Sequence, residues 1–416
     1  MAQTADYHVQ ILDKSDHTKQ VLVNLPASSV PPLSKGWIRI QSRILSVTTN
    51  NFTYARLGHL LGWWGVWDQA PALPEPYNDA SKYGRISSWG YAEVIESMHD
   101  SVPVGTKLWG YMPIGDYPEA LEVDIDAETG HVVEVSERRR PLFAVYNRYI
   151  AFAPDTDLSQ DRESRGLDSI MQILFETAYL LNRYSFSWDE KRGHPMGIPA
   201  PWSAQDADIT GAVVVLLAPS GKTGLAFAHQ LRQGRPADKL PKKVVAVGST
   251  KSRDFSVATG LFDDVLLYPD FKSTDLGAKL GIEKGTKVLL VNFAARDNVE
   301  FEWYTAFKGL SDNVKALIIG GDPSAEGMSA LIPLANDPNS GVVRGNASGE
   351  RDDAMAIEGR AAYFEKMLRA WNEFKKNGTI PGLKLEWGKG MDSLVQGWAS
   401  LAAGEGNPMG ALVYEI

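Results

Sequence analysis

The sequence predicts an α/β protein of two domains, one β-rich and one built on a doubly wound parallel sheet. Three observations carry this. The first part of the chain alternates apolar and polar residues in short runs broken by proline and glycine. After Asp168 the period becomes helical, and short unbroken apolar runs alternate with the helical stretches. At 416 residues the chain is too long for one small core.

In chain order, Tyr7–Leu12, Gln20–Leu25 and Trp37–Val47 read as strands, with Pro26, Pro31, Pro32 and Gly36 between them. Thr48 to His59 is a polar and aromatic stretch directly after a strand, where site residues often sit. Residues 60–90 are crowded with aromatics, among them Trp63, Trp64, Trp67, Tyr77, Tyr83 and Trp89. Pro71, Pro74 and Pro76 oppose a long helix there. The stretch is either a roof over a flat substrate or a small satellite core under a long loop. Further strands are expected at Trp89–Glu96, Val104–Tyr111 and Val145–Phe152. Val132–Val135 reads as an edge strand, followed by Arg138, Arg139 and Arg140 as a solvated surface cluster.

From Asp168 to Tyr184, Ile170, Ile173, Leu174, Thr177, Ala178 and Leu181 fall on one helical face. Residues 185–205 read as an insertion or linker. Val213–Leu217, Val244–Val247, Val265–Tyr268, Val288–Phe293 and Val314–Ile319 are apolar runs that suit strands buried on both faces. A loop is expected at Asp322–Glu350, one long helix at Met355–Lys376, a strand at Leu383–Trp387, a helix at 391–403 and a strand at Ala411–Tyr414.

The organising stretch is Ala212 to Leu231. The run Val213–Leu217 is followed by Ala218-Pro219-Ser220-Gly221-Lys222-Thr223-Gly224, and then by Leu225, Ala226, Ala228 and Leu231 at helical spacing. Strand, glycine turn and helix open a dinucleotide-binding βαβ unit. Gly221 lets backbone N–H groups approach a pyrophosphate, Gly224 lets the helix pack closely, and the helix N-terminus favours the anion. Ser220, Lys222 and Thr223 complete the turn. A P-loop is set aside, because Leu216 and Leu217 stand where its first glycine belongs. After the second strand of the unit comes Gly248-Ser249-Thr250-Lys251-Ser252-Arg253, with no acid before Asp254. An acid there would hold the ribose hydroxyls of NAD. Ser249, Lys251 and Arg253 instead suit a 2′-phosphate, so NADP(H) is the expected cofactor. Asn292 and Phe293 end one later strand and Gly320 and Gly321 another. These are carboxyl ends of sheet strands, where nucleotides pass in open α/β sheets.

Composition excludes several classes. A net charge of −9 opposes general binding to nucleic acid or to anionic membranes. There is no cysteine, so disulfides, a reactive thiol and a thiolate–zinc site are excluded. The histidines, His8, His17, His59, His99, His131, His194 and His229, lack ligand spacing, and no metal is expected. The first residues do not resemble a secretory signal, no segment has the ~18 apolar residues of a membrane span, and a cytoplasmic enzyme is the expectation.

The order of these parts resembles the medium-chain dehydrogenase/reductase superfamily. Asn51 to Gly58 is similar to its Asn…Arg-x-Gly segment. Gly90-Tyr91-Ala92-Glu93-Val94-Ile95 is similar to its G-x-E-x-x-G-x-V strand, with the glutamate shifted and the second glycine missing. Val104-Gly105-Thr106-Lys107-Leu108-Trp109-Gly110 is similar to V-x-x-G-D-R-V-x-G, with Lys107 for arginine. Thr177-Ala178-Tyr179 matches the TAY of its interdomain helix, and Ala218-x-x-Gly221-x-x-Gly224 its cofactor turn. The whole chain looks most like a divergent branch labelled only as a domain of unknown function. It shares the look of Asn50 to Ala55, of Tyr83 to Gly90, of Tyr146 to Tyr149 and of Ser220 to Thr223.

The resemblance implies a GroES-like catalytic domain at 1–175 and 365–416 and a Rossmann NADP-binding domain at 176–364. Without cysteine it implies the zinc-free, quinone and enoyl reductase-like side. The expected activity is reduction of a small carbonyl or α,β-unsaturated carbonyl substrate by NADPH. With no metal as Lewis acid, a hydrogen-bond or proton donor must hold the developing oxyanion. Tyr54 is the leading candidate, with Asn51, Thr53 and His59 as orienting groups. The alternative is a redox-silent lyase, isomerase or hydrolase on the same fold, or an NADPH-sensing binding protein. Expected partners are a small-molecule substrate, with the chain a monomer or homodimer.

Overall fold

The structure is a computed structural model that describes residues 6–189, 202–296, 298–320, 331–337, 339–376 and 380–416. The chain forms two compact units, Met1–Gln172 with Lys384–Ile416, and Ile173–Leu383.

The first unit is β-rich. Strands β1 (Tyr7–Asp13) and β2 (Asp16–Leu25) pair as an antiparallel ribbon. Strand β3 (Trp37–Val47) leads into helices α1 (Thr49–Arg56) and α2 (Gly58–Leu61). After β4 (Tyr83–Gly84) come β5 (Ser87–Ser97), β6 (Lys107–Pro113), β7 (Glu119–Ile125), β8 (Val132–Glu134) and β9 (Arg148–Phe152). Among the described residues the main sheet ends β3-β5-β6-β9-β8-β7, and β7 pairs back onto β3. The β3–β7 pairing leaves no free edge at the β7 end of the sheet. The 132–135 strand is therefore interior, flanked by β7 and β9, and not the expected edge.

Residues 60–90 divide between two cores. Ala70 and Leu73, with Tyr77 and Tyr83, pack over Val9, Ile11, Val23 and Leu25 as a satellite core. Trp63 and Trp89 join a separate aromatic cluster described below. The arginine triplet is also corrected. Arg140 is exposed and pairs with Glu137, but Arg139 has no exposed surface at all. Its Nε donates to the Val66 carbonyl, its Nη1 donates to the Tyr149 hydroxyl at 2.8 Å, and its guanidinium lies 4.4 Å over the Trp67 ring. Buried carbonyl, phenol and indole partners offset the desolvation that the sequence reading assumed this cation would avoid.

Helix α3 (Arg162–Leu180) carries the chain into the second unit and ends in a π-type turn, Leu181–Ser185. Short α4 (Ala204–Ala207) precedes β10 (Val213–Leu217), α5 (Lys222–Gln233), β11 (Lys243–Gly248), α6 (Thr250–Ala258) and β12 (Asp264–Leu267). Then come α7 (Leu276–Leu280), β13 (Val288–Phe293), α8 (Val299–Leu310), β14 (Val314–Gly320) and β15 (Val342–Arg344). All pairings among these strands are parallel, in the order β12-β11-β10-β13-β14-β15. This is the doubly wound 3-2-1-4-5-6 order, with its switch point between β10 and β13. The wholly buried side chains of Val213–Leu217 and Val288–Leu290 follow from helices covering both faces.

The expected 322–350 loop holds β15, and the expected single helix is two. Helices α9 (Ala347–Glu358) and α10 (Arg360–Lys376) break at Gly359, whose φ of 82° only glycine adopts cheaply. Strand β16 (Lys384–Lys389), helix α11 (Gly390–Ala402) and strand β17 (Gly410–Glu415) return to the first unit. There β17 lies between β16 and β3.

Candidate functional site

In the second unit, the cofactor turn lies at the carboxyl end of the central strand. Gly221 is the N-cap of α5, and no side chain caps the helix. Its first N–H groups therefore lack the usual side-chain acceptor, and the helix end favours an anion. The two glycines differ in kind. A Cβ at Gly224 would meet the Pro219 Cα and carbonyl oxygen at 3.1 Å, so a side chain there would have to push the Pro219 backbone aside. A Cβ at Gly221 would meet nothing closer than the Ala218 oxygen at 3.5 Å, and Gly221 has an ordinary φ of −66°. The open space above Gly221 fits an approaching phosphate. Ala218, the first residue of the turn, takes a left-handed φ of 54°. Ser220, Lys222 and Thr223 are half-buried around the turn.

Ser249 is the N-cap of α6, directly after β11, the strand beside β10. Its Oγ lies 3.2 Å from the Ser252 Oγ and caps no backbone N–H. Lys251 and Arg253 follow on the exposed first turns, and no acid is present there. Cations at a helix N-terminus oppose its dipole, and a bound phosphate would reverse that penalty. The half-exposed Arg253 guanidinium lies 3.6 Å from the exposed Asp254 carboxylate. Across the switch point, the Asn292 Oδ1 accepts from the backbone N–H groups of Ala294 and Ala295 at 3.1 and 2.8 Å. Among the described residues the buried Asn292 Nδ2 has no hydrogen-bond partner. Such an orphaned donor at a strand's carboxyl end fits a polar group of a bound nucleotide. Phe293 packs its ring 5.7 Å from that of Phe227. Gly320 closely approaches Ala294, where a Cβ would come within 3.3 Å. Gly321 lies outside the described residues.

The other expected site residues lie in the first unit, on α1 and α2. The stretch is helical because Thr48 and Asn51 cap it. The Thr48 Oγ1 accepts from the Asn50 N–H, and the Asn51 Oδ1 accepts from the Thr48 N–H at 2.8 Å. The Asn51 Nδ2 donates to the Ser87 carbonyl. Asn51 is thus occupied as a cap and a tie to β5. Thr53 is half-buried, and His59 is exposed with its ring 6.3 Å from that of Trp64. Tyr54 is only 4% exposed. Its rings of contact are Trp63, Tyr111 and Tyr146, at 4.8, 5.1 and 6.0 Å between centroids.

The Tyr54 hydroxyl accepts from the Asn50 Nδ2 at 2.8 Å and from the Trp89 Nε1 at 2.9 Å, with Tyr146 as a further hydrogen-bond partner. Burial outweighs these bonds and pushes the phenol up to about 12, so it keeps its proton at any working pH. Burial also raises Tyr111 and Tyr149. The structure therefore brings Tyr54 together with Asn50, Trp89, Tyr111 and Tyr146, and does not gather it with His59. One spacing in the sequence and one strand register bring this group together. Asn50 stands one helical turn before Tyr54. Trp89 and Tyr111 face each other in the antiparallel register of β5 and β6.

A second buried network sits in the Rossmann unit. The Arg351 Nε and the Tyr363 hydroxyl both donate to Glu176 Oε1, at 2.6 and 2.8 Å. Nearby in the sequence, the Ser185 hydroxyl donates to the Glu350 carboxylate. Burial pushes that carboxyl up to about 7. Among the described residues, no group of three His, Asp or Glu side chains could hold a metal ion, and no helix is long and apolar enough to cross a membrane. His194 lies outside those residues.

Barrel and doubly wound sheet together define the two-domain architecture expected from the medium-chain reductase resemblance. The sequence model of the family described as a protein of unknown function, DUF2855, matches residues 45–407, and the chain belongs to that family. No curated protein matches the sequence. Solved structures share the fold. CurA from Vibrio vulnificus, in complex with NADPH, is 12% identical, with a TM-score of 0.54 over 95% of this chain and 94% of its own. A mutant form of enoyl thioester reductase from Candida tropicalis is 10% identical, with a TM-score of 0.55 over 99% of this chain and all of its own. The quinone oxidoreductase from Coxiella burnetii is 12% identical, with a TM-score of 0.53 over 99% of this chain and all of its own.

Proposed function

We propose that this chain is an NADPH-dependent reductase of a small carbonyl or α,β-unsaturated carbonyl substrate, working without zinc. The observation that carries the reading is the uncapped α5 N-terminus, with open space above Gly221 at the switch point of a 3-2-1-4-5-6 sheet. The fold neighbours support it, since one is solved with NADPH and two are described as an enoyl thioester reductase and a quinone oxidoreductase. The turn Ser220–Gly224 would hold the pyrophosphate. Ser249, Lys251 and Arg253 would hold the 2′-phosphate, and Asn292, Phe293 and Gly320 would line the path of the nicotinamide half. When bound, NADPH supplies a hydride to the substrate carbon.

The chain's own residues would then stabilise the substrate oxygen as it gains charge. Tyr54 is our leading donor. Its phenol keeps its proton, the Asn50 and Trp89 donors occupy its lone pairs, and its own O–H would turn from the Tyr146 oxygen to the substrate oxygen. Asn51 positions α1 rather than touching the substrate. Thr53 and His59 remain orienting candidates.

The test is NADPH consumption by the purified protein across a panel of enones, quinones, enoyl thioesters and aldehydes, with and without a chelator. Saturable, chelator-insensitive turnover on one class, with one reduced product per NADPH, is expected. NADPH binding with no turnover on any class would favour the redox-silent alternative.

A further inference from the structure

The three hydrogen-bond partners of the Tyr54 hydroxyl differ in chemistry. The Asn50 amide and the Trp89 indole donate to it at 2.8 and 2.9 Å, and the Tyr146 hydroxyl is the third partner. Amide and indole N–H groups are donors only and hold their protons at any pH that keeps a protein folded. Of the three, only the Tyr146 phenol can give up a proton and take one back.

The fold holds these phenols together. Tyr146 stands on the 3₁₀ turn Ala144–Asn147, directly before β9. The buried Arg139 fixes that turn. Its Nη1 donates to the Tyr146 carbonyl at 3.3 Å, and the Asn147 Nδ2 donates to the Arg139 carbonyl at 2.9 Å. The Tyr146 ring lies 6.0 Å from that of Tyr54 and nearly perpendicular to it. The Tyr111 ring stands 5.1 Å from Tyr54 and 5.0 Å from Tyr146. Burial first, and then the neighbouring Tyr54 and Tyr146 phenols, push Tyr111 up. Tyr146 is the most exposed of the three, at 7% against 4% for Tyr54 and none for Tyr111. So dry a site disfavours a phenolate, and a Tyr54 that gives its proton away needs another as the first leaves. The Asn50 and Trp89 bonds steady the oxygen but cannot refill it.

We propose that the Tyr146 hydroxyl acts through Tyr54 as a proton relay, returning to the Tyr54 oxygen the proton that Tyr54 gives to the substrate oxygen. This rests on the donor role proposed for Tyr54. As Tyr54 turns to the substrate, the Tyr146 O–H turns to the Tyr54 oxygen. The Tyr54 O–H bond breaks and an O–H bond forms on the substrate. The Tyr146 proton passes to Tyr54, and solvent returns a proton to Tyr146. The net change is one proton moved from solvent to the substrate oxygen, with both phenols restored.

The test follows hydroxyl exchange in the full chain, with no substrate or cofactor present. Tyrosine carrying carbon-13 at Cζ gives separate signals for a hydroxyl proton and a deuteron when exchange with mixed light and heavy water is slow. With Tyr54 and Tyr146 labelled one at a time, the Tyr146 hydroxyl is expected to exchange faster than the Tyr54 hydroxyl. Tyr146→Phe should slow Tyr54 exchange at least about tenfold. Tyr111→Phe, which removes a buried hydroxyl from the same cluster, should not slow it. A purely structural Tyr146 predicts the opposite sign, because a loosened cluster admits water and speeds exchange. Four outcomes would overturn the proposal: an averaged Tyr54 signal from fast exchange, a Tyr54 hydroxyl that exchanges faster than that of Tyr146, unchanged or faster Tyr54 exchange in Tyr146→Phe, or equal slowing in Tyr111→Phe. The native-chain comparison decides the question even if Tyr146→Phe does not fold. A failure here refutes the relay alone, and the reductase reading stands or falls on the NADPH-consumption panel.

Discussion

Replacing Tyr54 with phenylalanine removes one hydroxyl and almost no volume, yet two donors lose their acceptor. The Trp89 indole N–H lies beneath the aromatic cluster, and the Asn50 amide is half-buried. Orphaning a buried donor costs about 1–3 kcal/mol, and the more accessible amide recovers part of that from water. The sum is about 2–3 kcal/mol. For a unit of this size each kcal/mol lowers the melting temperature by about 2–4 °C, so a fall of about 4–12 °C is expected. If Tyr54 also donates to the substrate oxygen as charge develops, single-turnover NADPH oxidation should slow by about 10²–10³ per folded molecule, with NADPH affinity unchanged. The two readouts separate the roles. A lowered melting temperature with an unchanged hydride-transfer rate would refute Tyr54 as donor and leave it as the hydrogen-bonded centre of the cluster. An unchanged melting temperature would refute the hydrogen-bond geometry itself.

Other outcomes follow from the second unit. Gly221→Ala should leave the melting temperature unchanged or slightly raised, because its Cβ meets no close atom, yet weaken NADPH binding at least about tenfold. Gly224→Ala should lower the melting temperature, because its Cβ presses on Pro219 backbone; the reverse pattern would contradict the assignment of the turn. Glu350 titrates near 7 in the folded chain and near 4.5 unfolded. Between those values the folded chain keeps a proton that the unfolded chain has released, so this stabilisation is full at low pH and lost as pH rises through 7. The melting temperature should drop more between about pH 5 and about pH 8 in native protein than in Glu350→Gln, and parallel curves would refute the burial of that carboxyl.

The doubly wound sheet was legible because its central strands are buried on both faces and so read as unbroken apolar runs, as in Val213–Leu217 and Val288–Val291. The barrel's closure was not. Strand β7 carries Glu119, Glu122 and Asp124 on a half-exposed surface, and its pairing with β3 joins residues 79 to 85 apart. Arg139 was misread for a related reason. A triplet of arginines looks solvated in sequence, and only the fold brings a carbonyl, a phenol and an indole ring around the middle one. The Gly221 turn could be placed from local spacing alone, whereas the company of Tyr54 needed the register of β5 against β6. Local chemistry reads from the chain, and chemistry assembled across strands does not.

The central claim is that the turn after β10 and the residues after β11 bind NADPH. It is tested most directly by titrating NADPH and NADH into the native chain and into Lys251→Ala/Arg253→Ala, following nicotinamide fluorescence. The account predicts saturable binding in native protein, with NADPH at least about tenfold tighter than NADH, and a loss of most of that preference in the variant through NADPH alone. Absence of saturable NADPH binding, tighter binding of NADH, or equal weakening of both cofactors in the variant would contradict it.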